Sequence, residues 1–410
     1  MPPIDYHVQE ISKASIQALL STISLPAPEY INTLSTQGQY HQVWFLNYPA
    51  TTLQKILTSV SPPSIHPHVT TKLLLRISGT HFPHRKTENE SAILAYVAAN
   101  APGVPVPTIV RYDSSRNNAI GYEYQIMTVC PGVEVDSIFR GWDDATKVGF
   151  LDQIIRLLGE LHSVPVAHIG GFAFAANSHN VVPGSTCEEF ALQMPHVDQY
   201  WNAYGLNQTP QSLNAQGPFE TWTQLNTEWL KKYIFAIKTH PLMNEFSEMI
   251  PKLKKLVSIL ENGGPQEWKL NNMRIVLAHR DLHFGNIMYD TERKVISGII
   301  DWEFSGTAPF CKWDPPKAFL ASLPYDEEGL ARKRAWVEDF KIRCQETGTD
   351  WRTLIFDSEN GWSTKEQRLV YEAVDYMRCI FEVAPTGERL NRVRDWRDIV
   401  LQRLEELNIS

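Results

Sequence analysis

No apolar run in the 410 residues approaches the roughly 20 that a membrane-spanning helix needs. The opening stretch, MPPIDYHVQEISKASIQALL, lacks a basic segment followed by an apolar one, so no secretory signal is expected. Cysteine is scarce: five residues, at 130, 187, 311, 344 and 379, odd in number and without a CxxC pair. That excludes a disulfide framework or a zinc ribbon and points to reduced thiols. An excess of positive charge is also missing. The net charge of −8 argues against a dedicated nucleic-acid binder, and it fits a cationic substrate as well as plain solubility. No GxGxxG, internal repeat or low-complexity segment occurs. These absences lead to an expected soluble, cytoplasmic, globular protein with no nucleic-acid or membrane partner, and they leave its oligomeric state open.

A chain of this length suits two lobes that share a cleft. Ile11, Ile16, Leu19, Leu20 and Ile23 have loose helical spacing near the start. QVWFLNY (42–48) and TKLLLRIS (71–78) read as strands separated by the loop SPPSIHPH (61–68). NESAILAYVAAN (89–100) reads as a helix that must end before the prolines of APGVPVP (101–107). YEYQIMTV (122–129) reads as a strand closed by Cys130, Pro131 and Gly132, and a lobe boundary is expected there, giving 1–129 and 130–410. Helices dominate beyond it. Ile154, Ile155, Leu158 and Leu161 share one face, as do Val370, Val374, Met377 and Phe381. Residues 175–220, polar and rich in Pro, Gly and Asn, read as a surface insertion. The expected class is α+β: a small lobe with an antiparallel sheet and one helix, then a larger, mainly helical lobe.

Chemistry concentrates in VLAHRDLHFGNIMYD (276–290) and VISGIID (295–301). RIVLA (274–278) reads as a buried strand leading into His279, and the two runs on either side of TERK read as a hairpin. Pairing centred near Glu292 and Arg293 sets Asn286 opposite Ile300, next to Asp301. An amide and a carboxylate then converge at one end of the hairpin, with Asp281 on the loop before it. Phosphoryl transfer needs this set. Magnesium takes hard oxygens, here from Asn286 and Asp301, while a second carboxylate, Asp281, orients and deprotonates the acceptor hydroxyl. Turn capping is the bland alternative for Asp281 and Asn286 alone. An HxDxH zinc site at His279 and His283 would need a third protein ligand, so both histidines are expected to hold the loop through hydrogen bonds.

These residues resemble the aminoglycoside phosphotransferase and choline kinase family, the small-molecule branch of the protein-kinase-like fold. Its loop H-x-D-L-H-x-x-N matches His279, Asp281, Leu282, His283 and Asn286, and its I-D-W-E matches Ile300, Asp301, Trp302 and Glu303. AHRDLHFGNIM followed by GIIDWEFSG, and GPFETW (217–222), look most like its fungal branch. The resemblance spans about residues 36–385. It implies a strand cation on the α- and β-phosphates, here Arg76 in place of lysine, paired with Glu90 or, alternatively, Glu88. Arginine is not geometrically interchangeable with lysine there. It implies a phosphate-covering loop at TQGQYHQVW (36–44), where Gly38 is the only glycine. Adenine is expected against Met127, bonded to the backbone of Thr128 and Cys130. The implied cofactors are ATP, with GTP as the alternative, and Mg2+.

A protein kinase is disfavoured because no DFG or VAIK occurs, and the segment after Asp301, FSGTAPFCKWDPP, contains no APE and is too short for a peptide platform. The expected activity is phosphorylation of a small-molecule hydroxyl, on an aminoglycoside-like compound, an amino alcohol or a sugar. Glu303, Asp314 and Asp375, with Trp313 and Tyr371, are the candidate substrate contacts. The reading from another class is a kinase-fold scaffold without turnover.

Overall fold

The computed structural model describes residues 7–33, 40–60, 71–80, 82–176, 178–187, 197–320, 323 and 326–409, apart from the side chain of residue 317. Helices of nine or more residues are numbered here; single turns are named by residue. Helix α1 (Lys13–Thr22) starts where Ser12 Oγ accepts the Ser15 N–H at 3.0 Å and buries Ile16, Leu19 and Leu20. Strands β1 (Tyr30–Thr33), β2 (Gln42–Asn47), β3 (Lys72–Ile77), β4 (Ile109–Asp113) and β5 (Tyr124–Thr128) form one sheet, in the order β1-β2-β3-β5-β4. All its pairings are antiparallel. Leu46, Leu73, Leu75 and Ile126 meet the α1 face in a core of their own.

Two elements here escape the sequence pattern. Helix α2 (Ala50–Thr58) follows β2 with only Leu53 and Ile56 buried, and β4 lies in the stretch after the prolines. Helix α3 (Arg85–Asn100) begins four residues before the expected start. Its first turn is polar yet buried: Lys86 Nζ donates to Gly79 O at 2.7 Å, and Thr87 Oγ1 donates to Ser78 Oγ at 3.3 Å. Apolar periodicity cannot reveal a turn that hides its polar groups against partners. Ala92, Ile93, Leu94 and Val97 of α3 belong to the larger apolar core, together with Leu157, Leu158 and Leu161 of α4 (Asp144–Ser163). The helix beside the sheet is thereby packed into the helical region.

That region contains α4, α5 (Trp222–Thr239), α6 (Ile250–Glu261), α7 (Glu327–Glu346), α8 (Lys365–Val383) and α9 (Leu390–Glu406). Val370, Val374, Met377 and Phe381 are buried along α8, each contributing roughly 1.5–3 kcal/mol of apolar burial. Strands β6 (Val133–Glu134), β10 (Ile287–Asp290) and β11 (Val295–Ile299) form a sheet in the order β11-β10-β6. Strand β9 (Ile275–Ala278) pairs with β12 (Gly306–Pro309), and β7 (Gly171–Phe174) with β8 (Val181–Gly184). A small antiparallel sheet with its helices, followed by a larger helical part, is the bilobal α+β, protein-kinase-like arrangement. The stretch 175–220 is not wholly a surface insertion. Trp201, Leu213 and Ala215 are fully buried, because their neighbours supply the polar surface that made the segment look exposed. The loop 61–68 and Gly38 lie outside the described residues. Among the described residues no helix is long and apolar enough to cross a membrane.

Gly132 joins β5 to the catalytic half. Its φ is +98°, and a Cβ there would strike the Tyr289 carbonyl of β10. Gly132→Ala is expected to destabilise the fold by about 2–4 kcal/mol, measured by denaturant unfolding, through strain and overpacking together.

Candidate active site

Strand β9 delivers His279 into full burial. Its Nε2–H donates to Ile300 O at 2.9 Å and its Nδ1 accepts the Asp281 N–H at 3.3 Å, while its ring lies edge-on to Trp302 at 4.6 Å. Burial pushes the imidazole pKa down to about 3, so it stays neutral and acts as a spacer between the loop and β11. Ser305 Oγ donates to His279 O at 2.6 Å. Arg280 then takes a left-handed φ of +68°, which turns the chain so that Asp281 faces outward, its side chain 29% exposed.

Asn286 Nδ2 donates to both Asp281 O (2.9 Å) and Asp281 Oδ2 (3.2 Å). His283 Nδ1 accepts the Gly285 N–H at 3.0 Å, so its Nε2 carries the proton and lies 3.7 Å from Asp281 Oδ2. Burial lowers the His283 pKa, and Asp136 opposes that. The hairpin sets the second half of the site. Ile287 faces Ile299, Met288 faces Gly298, and Ile300 N–H donates to Asn286 O at 3.0 Å. Asn286 thus stands opposite Ile300, with Asp301 next in the chain. Asp301 itself has a φ of +66°.

Arg76 of β3 crosses to this point. Its guanidinium bonds Glu90 through Nη1; through Nη2 it reaches Asp301 Oδ1 and Glu303 Oε2, each at 2.9 Å, and contacts His41 Nε2 at 2.6 Å. Glu90, not Glu88, is therefore its helix partner, and Glu90 Oε1 also accepts the Trp302 N–H at 3.1 Å. Burial alone would lower the Arg76 pKa, but the three carboxylates reverse this and push it up. Burial, helped by Glu303 and Glu90 and opposed by Arg76, pushes Asp301 up to about 7. Its side chain is 35% exposed, so water relieves part of that cost.

Other expected residues are placed differently. Glu303, expected at the substrate, is 3% exposed and paired with Arg76 and His41, so it does not line an open pocket. It follows Asp301 by two residues and points the same way into the cluster. Asp314 stands at the N-cap position of the short helix Pro315–Phe319, and Trp313 is buried with its Nε1 on His162 at 2.8 Å. Asp375 lies on α8, 3.1 Å from Arg378, one turn after Tyr371. Met127 and Thr128 end the buried strand β5, and Thr128 N–H donates to Thr108 O at 3.0 Å. Cys130 packs where a Cβ on Gly298 would collide with it, and burial pushes its thiol up to about 12. All five cysteines are free.

Two participants were not foreseen. His41, inside the expected phosphate-covering loop (36–44), donates its Nε2–H to Glu303 Oε2 (3.0 Å), and its Nδ1 accepts the Gly79 N–H at 3.4 Å. Asn89 Nδ2 donates to Glu303 O (3.0 Å) and Ser305 O (2.9 Å), while its Oδ1 accepts the Phe172 N–H at 2.7 Å. The signal for Asn89 was its position, a polar residue in the ENESAIL turn next to Glu90. His41 carried none beyond its place in that loop.

The sequence matches the phosphotransferase enzyme family (APH) over residues 67–311. No curated protein sequence matches the chain. Among solved structures it is similar to the streptomycin–ATP ternary complex of APH(2'')-IIa, with 11% identity, 98% and 97% of the two chains covered and a TM-score of 0.43. It is also similar to ADP-bound APH(2'')-Ib (12%, 96% and 99%, TM-score 0.44) and to the macrolide 2'-phosphotransferase MphH from Brachybacterium faecium (15%, 94% and 97%, TM-score 0.41).

Asn89 joins α3 to the backbone on both sides of Phe304. Asn89→Ala would remove hydrogen bonds to three buried backbone groups, Glu303 O, Ser305 O and the Phe172 N–H. It is expected to cost at least about 3 kcal/mol of stability in a chemical denaturation curve, since each such lost bond to a buried group costs about 1–3 kcal/mol.

Proposed function

Belonging to the phosphotransferase enzyme family, the chain is a small-molecule O-phosphotransferase, and we propose that it transfers the terminal phosphoryl group of magnesium-bound ATP, or GTP, to an acceptor hydroxyl. The observation that carries this reading is the convergence of Asp281, Asn286 and Asp301 at one end of the β10–β11 hairpin, beside the Arg76–Glu90 pair. Asp281, outward-facing and held by Asn286, takes the hydroxyl proton as the acceptor oxygen bonds to phosphorus and the nucleoside diphosphate leaves.

The residues fit a magnesium ion. Asn286 gives its Nδ2 to Asp281, which leaves Oδ1; Asp301 gives Oδ1 to Arg76, which leaves Oδ2. One amide oxygen and one carboxylate oxygen suit a hard cation that draws its other ligands from phosphates and water. Three carboxylates around one guanidinium also leave negative charge for a cation to offset. When bound, magnesium would neutralise charge on the phosphates.

Arg76 is assigned to the α- and β-phosphates, with Glu90 as its anchor. Adenine would lie against Met127 and bond to the Thr128 carbonyl and the Cys130 backbone, because the Thr128 N–H is already given to Thr108. The lobes would meet at 129/130. Asp314 and Asp375 remain the candidates for an aminoglycoside-like, amino-alcohol or sugar acceptor, and five free thiols suit a cytoplasmic setting.

The test begins with a screen of hydroxylated amines, sugars and aminoglycosides for ATP consumption, with product mass checked for an added phosphoryl group. With the acceptor found, Asp281→Ala is expected to lower turnover about 100-fold or more while nucleotide still binds. Asp301→Ala is expected to abolish the magnesium-dependent part of nucleotide binding as well. Unchanged turnover in both variants overturns the assignment.

A further inference from the structure

The groups paired around Arg76 do not include Glu88, and its surroundings on the other side of α3 form a site. Two residues before Glu90, Glu88 is turned about 200° around the helix and faces away from Arg76. It looks into a cavity of about 440 Å³ bounded by α3, the edge strand β4 and the β7–β8 hairpin. Tyr112 of β4 and Phe174 of β7 stack across the floor, with centroids 5.6 Å apart and planes 26° from parallel. His179, at the hairpin tip, stands edge-on to Phe174 at 6.4 Å.

Among the described residues the Glu88 carboxylate has neither a hydrogen bond nor an ion pair, while the Glu90 carboxylate two positions on is bonded to Arg76 and to the Trp302 N–H. Burial and then the Glu88 charge push the Tyr112 phenol up, which places the carboxylate near that ring. A negative charge beside a stacked aromatic pair is chemistry that recognises an organic cation: the open ring surface attracts it through its quadrupole and the carboxylate through its charge. A single carboxylate with no other oxygen cluster does not suit a bare metal ion. The volume lies within the usual range of small-molecule sites, about 300–1,000 Å³.

We propose that the cavity between α3, β4 and the β7–β8 hairpin binds a small organic ammonium ion, held by Glu88 and by the Tyr112–Phe174 aromatic pair. The site is separate from the phosphotransfer residues and does not depend on their assignment.

Tetramethylammonium, which has no hydroxyl to be phosphorylated, is the probe, and tert-butanol is its neutral comparator of similar size. Both are titrated without nucleotide and followed by saturation-transfer NMR. Saturable binding of tetramethylammonium is expected, at least fivefold tighter than that of tert-butanol. Glu88→Gln, which keeps the helix, and Phe174→Leu, which keeps the apolar volume, are each expected to weaken it at least fivefold. Asp301→Asn is expected to leave it unchanged. Equal binding of the two probes, no effect of Glu88→Gln and Phe174→Leu, or loss of binding in Asp301→Asn overturns the proposal.

Discussion

One guanidinium, that of Arg76, ties the sheet to the catalytic half of the molecule. It leaves β3, reaches Glu90 on α3 and ends at Asp301 and Glu303 beyond β11. Isolated, each of these buried charges would cost several kcal/mol, and together the carboxylates would repel one another. Gathered on a single rigid fork they hold three chain segments in one geometry. The arrangement is valuable less for net stability, which buried ion pairs rarely supply, than for the placement of Asp301. Asn89 acts in parallel through the backbone of 303 and 305, so α3 fixes both the side chains and the main chain of that segment.

A second constraint is backbone shape. Arg280 and Asp301 both occupy left-handed conformations, and the neutral His279 ring sits between their neighbours, bonded to Ile300 O and to the Asp281 N–H. Left-handed non-glycine residues cost free energy and persist where packing over-determines them. Here the buried imidazole and Trp302 provide that packing. The outcome is two partly exposed carboxylates, one on the loop and one just beyond the hairpin, each with a partner that fixes its direction.

Much of this was legible before any coordinates. The hairpin register followed from the turn residues and the alternation of IMYD and VISGI, and the observed pairing of Asn286 opposite Ile300 agrees. Strand β3, the α8 face and the strand entering His279 were equally plain, because apolar spacing records which face is buried. What escaped was polar burial. The first turn of α3 hides Lys86 and Thr87, and Glu303 joins Arg76 instead of a substrate. His41 enters the cluster from the stretch expected to cover the phosphates. Such positions depend on partners outside their own element, close in sequence for Lys86 and Thr87 and more than thirty residues away for His41 and Glu303, which periodicity cannot register. Trp201 and Leu213 show the same limit from the other side: a polar segment can still bury its few large apolar residues.

The Asn286–Asp301 corner beside Arg76 is the proposed metal–nucleotide site. Calorimetric titration of ATP into the wild-type protein, with magnesium and then with the metal chelated, is its test. Magnesium is expected to tighten ATP binding at least tenfold, a gain of about 1.4 kcal/mol. ATP binding of equal strength without magnesium, or no ATP binding under either condition, would contradict it.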